Sequence, residues 1–192
     1  MHRFWYLDQM AIFAATGHGS YCRQTLVGGH YSLLDYVSYV PNPDYYSLLL
    51  WSRLMGAKVL ATTVSVASEL RTYAHCSKEG EGAITLLLIN LSNTTTAMID
   101  NVALKTLDKN VISYGYREEY IFSAAVSSSI EADILQSKSV KLNQKLLVLD
   151  GNNIPRLESQ YVDQESQFLV PLVMAPLTYG FVVFPLAKAS SC

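Results

Sequence analysis

From Lys58 to the C-terminus, apolar and β-branched runs only a few residues long recur, each closed by turn-forming residues. The runs are Val59–Val66, Leu70–Cys76, Ile84–Leu91, Val111–Phe122, Val140–Leu142, Leu146–Leu149, Phe168–Leu172 and Tyr179–Phe184. Between them stand Gly80-Glu81-Gly82, Asp108-Lys109-Asn110, Asn143-Gln144 and Gly151-Asn152-Asn153. Short strand-type runs with turn chemistry at close intervals predict an antiparallel β-sandwich.

The pattern before residue 57 is different. Arg3 to Ala15 is aromatic and aliphatic around Asp8 and Gln9, which predicts a mostly buried helix ended by Gly17 and Gly19. Tyr21 to Val27, closed by Gly28-Gly29, reads as one strand followed by a loop. At Pro41-Asn42-Pro43-Asp44 a second helix begins, with Asn42 as cap, Pro43 in the first turn and Asp44 complementing the helix dipole. Its apolar face is Tyr46, Leu49, Leu50 and Leu54, and Gly56 stops it. Helix, strand, loop, helix is a piece of a repeating α/β pattern, and a lone strand has nothing within residues 1–57 to pair with. The chain is therefore read as mainly β, with a partial (β/α)8-barrel segment over 1–57 and a β-sandwich domain over 58–192.

Composition excludes several function classes. Half of the 192 residues are hydrophobic and 16% charged, which suits a packed core, and the formal charge of −2 provides no field for nucleic acid or a membrane surface. The longest uncharged apolar stretch up to Ala187 carries Pro171, Pro176 and Pro185, so no transmembrane segment is expected. The N-terminus lacks the pattern of a signal peptide. No glycine-rich phosphate loop and no metal-ligand spacing occurs, so neither a cofactor nor a metal is expected. His75 beside Cys76 on a strand faces the opposite way from it and reads as structural, and His2 and His18 have no partnered ligands. Asn90-Leu91-Ser92 and Asn93-Thr94-Thr95 are adjacent glycosylation sequons.

Five blocks carry a resemblance. Phe4-Trp5-Tyr6-Leu7-Asp8-Gln9, Tyr21-Cys22-Arg23-Gln24-Thr25-Leu26-Val27-Gly28-Gly29, Pro41-Asn42-Pro43-Asp44-Tyr45-Tyr46, Leu70-Arg71-Thr72-Tyr73-Ala74-His75-Cys76 and Leu86-Leu87-Leu88-Ile89-Asn90-Leu91-Ser92 follow in order. Together they resemble plant heparanase-like proteins of glycoside hydrolase family 79. The resemblance implies a (β/α)8 barrel with a C-terminal β-sandwich, retaining β-glucuronidase chemistry on glucuronide-containing polysaccharide, and a secreted or membrane-associated glycoprotein of the cell wall, matrix or a lysosome-like compartment. In such enzymes one glutamate protonates the leaving oxygen and a second attacks the sugar. Both family glutamates precede the block that opens this sequence, so the chain alone is expected to be inactive. Among acids present, Glu118 and Glu119 are strand neighbours pointing to opposite faces and read as a solvated edge. Asp35 reads as loop solvation and Asp44 as a helix cap.

The loop after the strand, Gly28-Gly29-His30-Tyr31, is the candidate binding site, because barrel enzymes bind substrate at the C-terminal strand ends. The family's Gly-Asn-Tyr stretch contacts the uronate carboxylate; Gly29 and Tyr31 match it, and His30 replaces the asparagine. The alternative is a tight turn with Tyr31 packed beneath it. Cys76 and Cys192 resemble a family disulfide, with two free thiols as the alternative, and Cys22 reads as a buried core thiol. A rival function is a non-catalytic β-sandwich module that binds carbohydrate or protein. In either case the surface facing an absent barrel, with an unpaired sheet edge, predicts self-association.

Overall fold

The computed structural model describes residues 2–64, 69–99, 103–105, 110–112, 115–127, 130–163 and 170–192. Helix α1 spans His2–Ala15 and α2 spans Pro43–Leu54. Strands β1 (Met55–Leu60), β2 (Leu70–Ser77), β3 (Ile84–Asn90), β4 (Ala97–Ile99), β5 (Ala103–Lys105), β6 (Asn110–Ile112) and β7 (Tyr116–Ala124) follow. Then come the short helix α3 (Glu131–Gln136) and strands β8 (Val140–Leu142), β9 (Lys145–Leu146), β10 (Gln160–Asp163), β11 (Leu172–Met174) and β12 (Tyr179–Phe184).

One antiparallel sheet organises the chain, in the order β1-β2-β3-β12-β7-β8-β9, with β10 added beside β7. The last strand, β12, lies between β3 and β7, pairing Phe181 with Leu87 on one side and with Tyr120 on the other. Every residue of β3 and β12 is buried. Strands covered on both faces need no polar alternation, which is why both read as continuous apolar runs. Leu87, Ile89, Phe122, Tyr179, Phe181 and Val183 face α1 and α2, packing on Phe4, Leu7, Tyr46, Leu50 and Leu54. Leu86, Leu88, Val182 and Phe184 face the other way, onto the two-stranded β4–β11 ribbon through Ala97, Leu172 and Met174.

Several expected boundaries shift. Tyr21–Val27 is not a strand; only Val27 makes an isolated bridge, to Leu34, because no strand lies alongside to complete a ladder. Gly56 does not stop α2. The helix ends at Leu54, the chain turns extended at Met55, and Gly56 sits inside β1, where a Cβ would run into the Cys76 carbonyl. Leu49 lies on the outer side of α2, and the buried positions are Pro43, Asp44, Tyr46, Ser47, Leu50 and Leu54. Asn42 occupies the cap position without capping, since its amide donates to the Ser32 carbonyl at 2.8 Å.

In the sheet, β1 stops at Leu60, with Val66 outside the described residues, and β9 covers only Lys145–Leu146. The expected Val111–Phe122 run divides into β6 and β7, with Gly115 at φ 131° between them and Tyr114 outside the described residues. The ribbon strand begins at Leu172, with Phe168 likewise outside, as are Asp108 and Lys109 of one expected turn. Asn143 and Gln144 turn as expected, with φ of 47° and 68°, both in the region a tight β-hairpin needs.

Glu118 and Glu119 do point apart, but not on a solvated edge: β7 is interior to the sheet. Glu119 pairs with Arg117 at 2.6 Å, with 13% of its side chain exposed, and Glu118 approaches the Tyr120 hydroxyl on the opposite face. Alternation also separates His75 from Cys76. Cys76 is bonded to Cys192, with Cα atoms 5.3 Å apart, in the core that holds the ribbon. His75 packs edge-on against Trp51 of α2.

Asn90 is the one sequon that the fold closes off. Its side chain is buried, and its amide donates to the carbonyls of Thr95, Met174 and Ala175, so a glycan there is incompatible with this packing. Asn93 is exposed, its amide reaching Glu131 at 2.7 Å.

His75 gives the fold a defined acid response. It is 3% exposed; Nδ1 lies 2.6 Å from the Gly56 carbonyl, and Nε2 is buried with no hydrogen-bond partner. Burial pushes its pKa below the ordinary 6.5, against the smaller pull of the Gly56 bond. The unfolded chain therefore takes up a proton that the folded chain resists, so this contribution to stability is complete above pH 6.5 and is lost as pH falls below it. His75→Phe is expected to flatten the fall in melting temperature on the acid side, by about 2–4 °C for each kcal/mol involved. Melting curves from about pH 7.5 to about pH 5, across the ordinary histidine range, provide the check; parallel curves for both proteins contradict it.

Candidate functional site

Residues 16–42 contain no helix or strand and are held by specific bonds instead. Leu33 and Leu34 amides donate to the Thr25 and Leu26 carbonyls, and the Asn42 amide donates to Leu33. The reversal between these strands of bonds is made at Gly28 and Gly29, with φ of 101° and 82°, a region that side chains with a Cβ rarely adopt. Ser32 locks the far side of the turn, its hydroxyl bonding the Gly29 and Leu34 carbonyls.

Arg23 is the anchor of the turn. Its Nη2 donates to Asp44 Oδ2 at 2.6 Å and to the Tyr31 carbonyl at 2.7 Å. The guanidinium lies 4.5 Å from the centre of the Tyr6 ring on α1. The Arg23 and Asp44 side chains are only 6% and 7% exposed. Asp44 is thus a buried ion-pair partner that ties α2 to the turn, beyond the capping role its position predicts. Nε and Nη1 of Arg23 are buried without an acceptor. Leaving a buried donor unmade costs about 1–3 kcal/mol, more for a charged group.

Two cavities flank this arginine. The first, about 260 Å³, is lined by Arg23, His30, Tyr31, Asn42 and Asp44 on one side, and by Gln136 and Lys138 at the end of α3 on the other. The second, about 500 Å³, is lined by Trp5, Tyr21, Cys22, Arg23, Gln24 and Tyr31. Arg23 and Tyr31 belong to both walls. His30 and Tyr31 line the first cavity, and Gly29 is among the lining residues of neither. Tyr31 is not packed beneath the turn but is 46% exposed. Cys22 is not a core thiol either: it is exposed, because no flanking strand covers that part of the chain.

Lys138 bridges the parts by donating to Asp35 at 2.9 Å. Asp35 is more than a solvated loop acid, since its other oxygen accepts from the Val37 and Ser38 amides and the Ser38 hydroxyl. The Ser38 amide first, then Lys138, hold its carboxyl well below the usual range. Chemically, then, the arrangement can bind. Among the described residues Asp44 is the one acid lining the first cavity and it is committed to Arg23, so no pair of described carboxyls stands across it. Sequence reasoning missed Arg23, Gln136 and Lys138. An arginine in a short run of mixed polarity, twenty-one residues before a helix-start aspartate, is the signal that marked the first of them.

No protein-family model matches the chain. Relatives do. It is 42% identical to heparanase-like protein 1 of Arabidopsis thaliana, over 98% of this chain and 37% of that protein. Identity is 40% to baicalin-beta-D-glucuronidase of Scutellaria baicalensis, over 95% of this chain and 31% of that protein. Bovine (Bos taurus) heparanase is 32% identical over 98% of this chain and 33% of its own length. The chain thus spans only about a third of the length of these relatives, and over that third it belongs to the heparanase-like family.

Proposed function

We propose that this chain is the C-terminal part of a heparanase-like glycoside hydrolase acting on glucuronide-containing glycans. Residues 1–57 are the end of its (β/α)8 catalytic barrel and residues 58–192 its β-sandwich. The protein is of the retaining endo-β-glucuronidase type, with both catalytic glutamates outside these residues. Within them Gly29, His30 and Tyr31 face the substrate. The observation that carries the reading is the turn itself: in a chain 42% identical to a heparanase-like protein, His30 and Tyr31 line a cavity together with an anchored arginine. The Cys76–Cys192 bond suits an oxidising, secretory compartment, where Asn93 is the open sequon. Exposed Leu26, Val27, Tyr36, Val37, Tyr39 and Val40 around the turn support self-association through that face.

Incubation of the purified chain with an aryl β-glucuronide tests the catalytic half of the reading. No aryl alcohol is expected above the buffer blank, because retaining hydrolysis needs two carboxyls about 5–5.5 Å apart across the bond. Turnover would place a catalytic pair within this chain and overturn the assignment. The rival reading, a non-catalytic carbohydrate-binding module, shares the cavity and the absence of turnover. It is separated by adding the upstream two thirds of heparanase-like protein 1 as a second polypeptide: recovery of hydrolysis favours the enzyme, and unchanged inactivity favours the module.

A further inference from the structure

The chain twice builds the same small assembly from distant segments. On α1, the Tyr6 ring carries the Arg23 guanidinium 4.5 Å from its centre, with Asp44 at 2.6 Å supplying the anion. Beside the end of α2, the Tyr120 ring carries Arg53 at 5.3 Å, with Glu79 at 3.7 Å in the same role. In each, the cation is drawn to the negative face of the ring while its N–H groups meet the acid.

A third ring and carboxylate stand together without a cation. Tyr161 of β10 stacks on Tyr116 of β7, with centroids 4.7 Å apart and planes 27° from parallel, and is 61% exposed. Its partner directly across the ladder is Glu118. Tyr116, Glu118 and Tyr120 alternate onto one face of β7, so with Tyr116 against one side of the Tyr161 ring, the other side looks toward Glu118. Among the described residues Glu118 forms no ion pair, and its carboxylate approaches the Tyr120 hydroxyl at 3.5 Å. Arg53, on that same tyrosine, is engaged by Glu79 and donates to the Leu157 carbonyl at 3.0 Å. Burial raises the Glu79 carboxyl, Arg53 pulls it down and Glu118 raises it again, so two carboxylates share one guanidinium.

We propose that Tyr161 and Glu118 form a docking site for an arginine of a partner polypeptide. The guanidinium lies on the open face of Tyr161 and donates to Glu118, completing a third copy of the assembly. Tyr116 backs the ring and sets its orientation before the partner arrives, which lowers the ordering cost of binding. A planar cation with five donors suits the site better than an ammonium, which is a compact and strongly hydrated charge. The excess of carboxylate disfavours a polyanion on this surface. The site shares no residue with the turn over residues 28–31, and the glycan reading neither requires nor excludes it.

The test is a titration of the oxidised, nitrogen-15-labelled chain, followed by NMR at about 0.15 M salt. The probes are capped peptides in which glycine alternates with arginine, with lysine or with citrulline, the neutral isostere of arginine. The arginine peptide is expected to shift the Tyr116, Glu118 and Tyr161 amides. It should bind about tenfold more tightly than the citrulline peptide, the worth of one charge-assisted bond, and about threefold more tightly than the lysine peptide. Tyr161→Ala should weaken binding about fivefold, and Tyr161→Phe, which keeps the ring, less than about twofold. Glu118→Gln should weaken it about tenfold. The amide spectrum of each variant verifies its fold. Equal affinity for arginine and citrulline peptides, or binding unchanged by Tyr161→Ala, overturns the site. Equal affinity for arginine and lysine peptides overturns the stacked guanidinium. Shifts at these amides with a neutral β-linked glucose oligosaccharide, and none with arginine, overturn the proposal and assign the platform to a sugar.

Discussion

Asp44→Ala is expected to destabilise the fold by about 3–5 kcal/mol, the usual effect of removing one partner from a buried ion pair. The carboxylate lies 2.6 Å from Arg23 with both side chains almost wholly out of water. Its loss leaves a guanidinium buried, already short of acceptors at Nε and Nη1, with its charge uncompensated. The same guanidinium holds the Tyr31 carbonyl and stacks on Tyr6, so damage spreads from the start of α2 to the turn and to α1. Against a typical total stability of about 5–15 kcal/mol, this takes a large share. Urea unfolding followed by circular dichroism measures it. The double variant Arg23→Met/Asp44→Leu is expected to recover most of the loss, since an apolar pair of similar volume removes the stranded charge. A cost under about 1 kcal/mol for Asp44→Ala, the value of an exposed pair, would show the pair to be solvated.

Reduction of the Cys76–Cys192 bond, or Cys192→Ser, is expected to cost about 4–5 kcal/mol by the chain-entropy argument for a loop of this length. The cysteines are 116 residues apart, so the bridge constrains most of the unfolded chain. There is also a folded-state part. Ala187 and Ala189, on the tail just before Cys192, are buried against Leu86, Val182 and Phe184 and help cover the sheet face away from the helices. Releasing the tail lets that cover fray, and the opposite face, closed by α1 and α2, keeps its packing. Melting with and without a reducing agent should therefore show a fall of about 10–20 °C at the exchange rate expected for a domain of this size. A fall of under about 2 °C, at most about 1 kcal/mol by that conversion, would show that the tail packs without its bond.

Much of the sheet could be read from residues alone because its central strands are buried on both faces. Leu70–Cys76, Ile84–Leu91, Val140–Leu142 and Tyr179–Phe184 each lie within a residue of the observed element. Where pairing is partial, the signal fails. Gln160–Asp163 is a strand only because β7 offers it a free side beyond β8, and its exposed polar residues carry no alternation. Tyr21–Val27 shows the converse, with strand-like residues and no neighbour to pair with. Gly56 looked like a helix terminator because glycine often is one; here it is required by the close approach of the β2 backbone. Of the site, the turn was legible from its glycines and from family likeness. Its other wall was not, since nothing local in Gln136 or Lys138 records that they come to rest beside Arg23. Cys22, in turn, shows that a place in a strand-like run does not ensure cover in space.

The placement of β12 between β3 and β7 has a consequence for how the chain is made. During synthesis the ribosome delivers β2 and β3, and later β7 and β8, as two hairpin-like assemblies whose inner edges must wait for Tyr179–Phe184. Neither inner edge is covered until Tyr179–Phe184 has been made. Completion of the sheet is therefore slow, governed by a long-range insertion. In the interval two sticky apolar edges are open to chaperones or to aggregation.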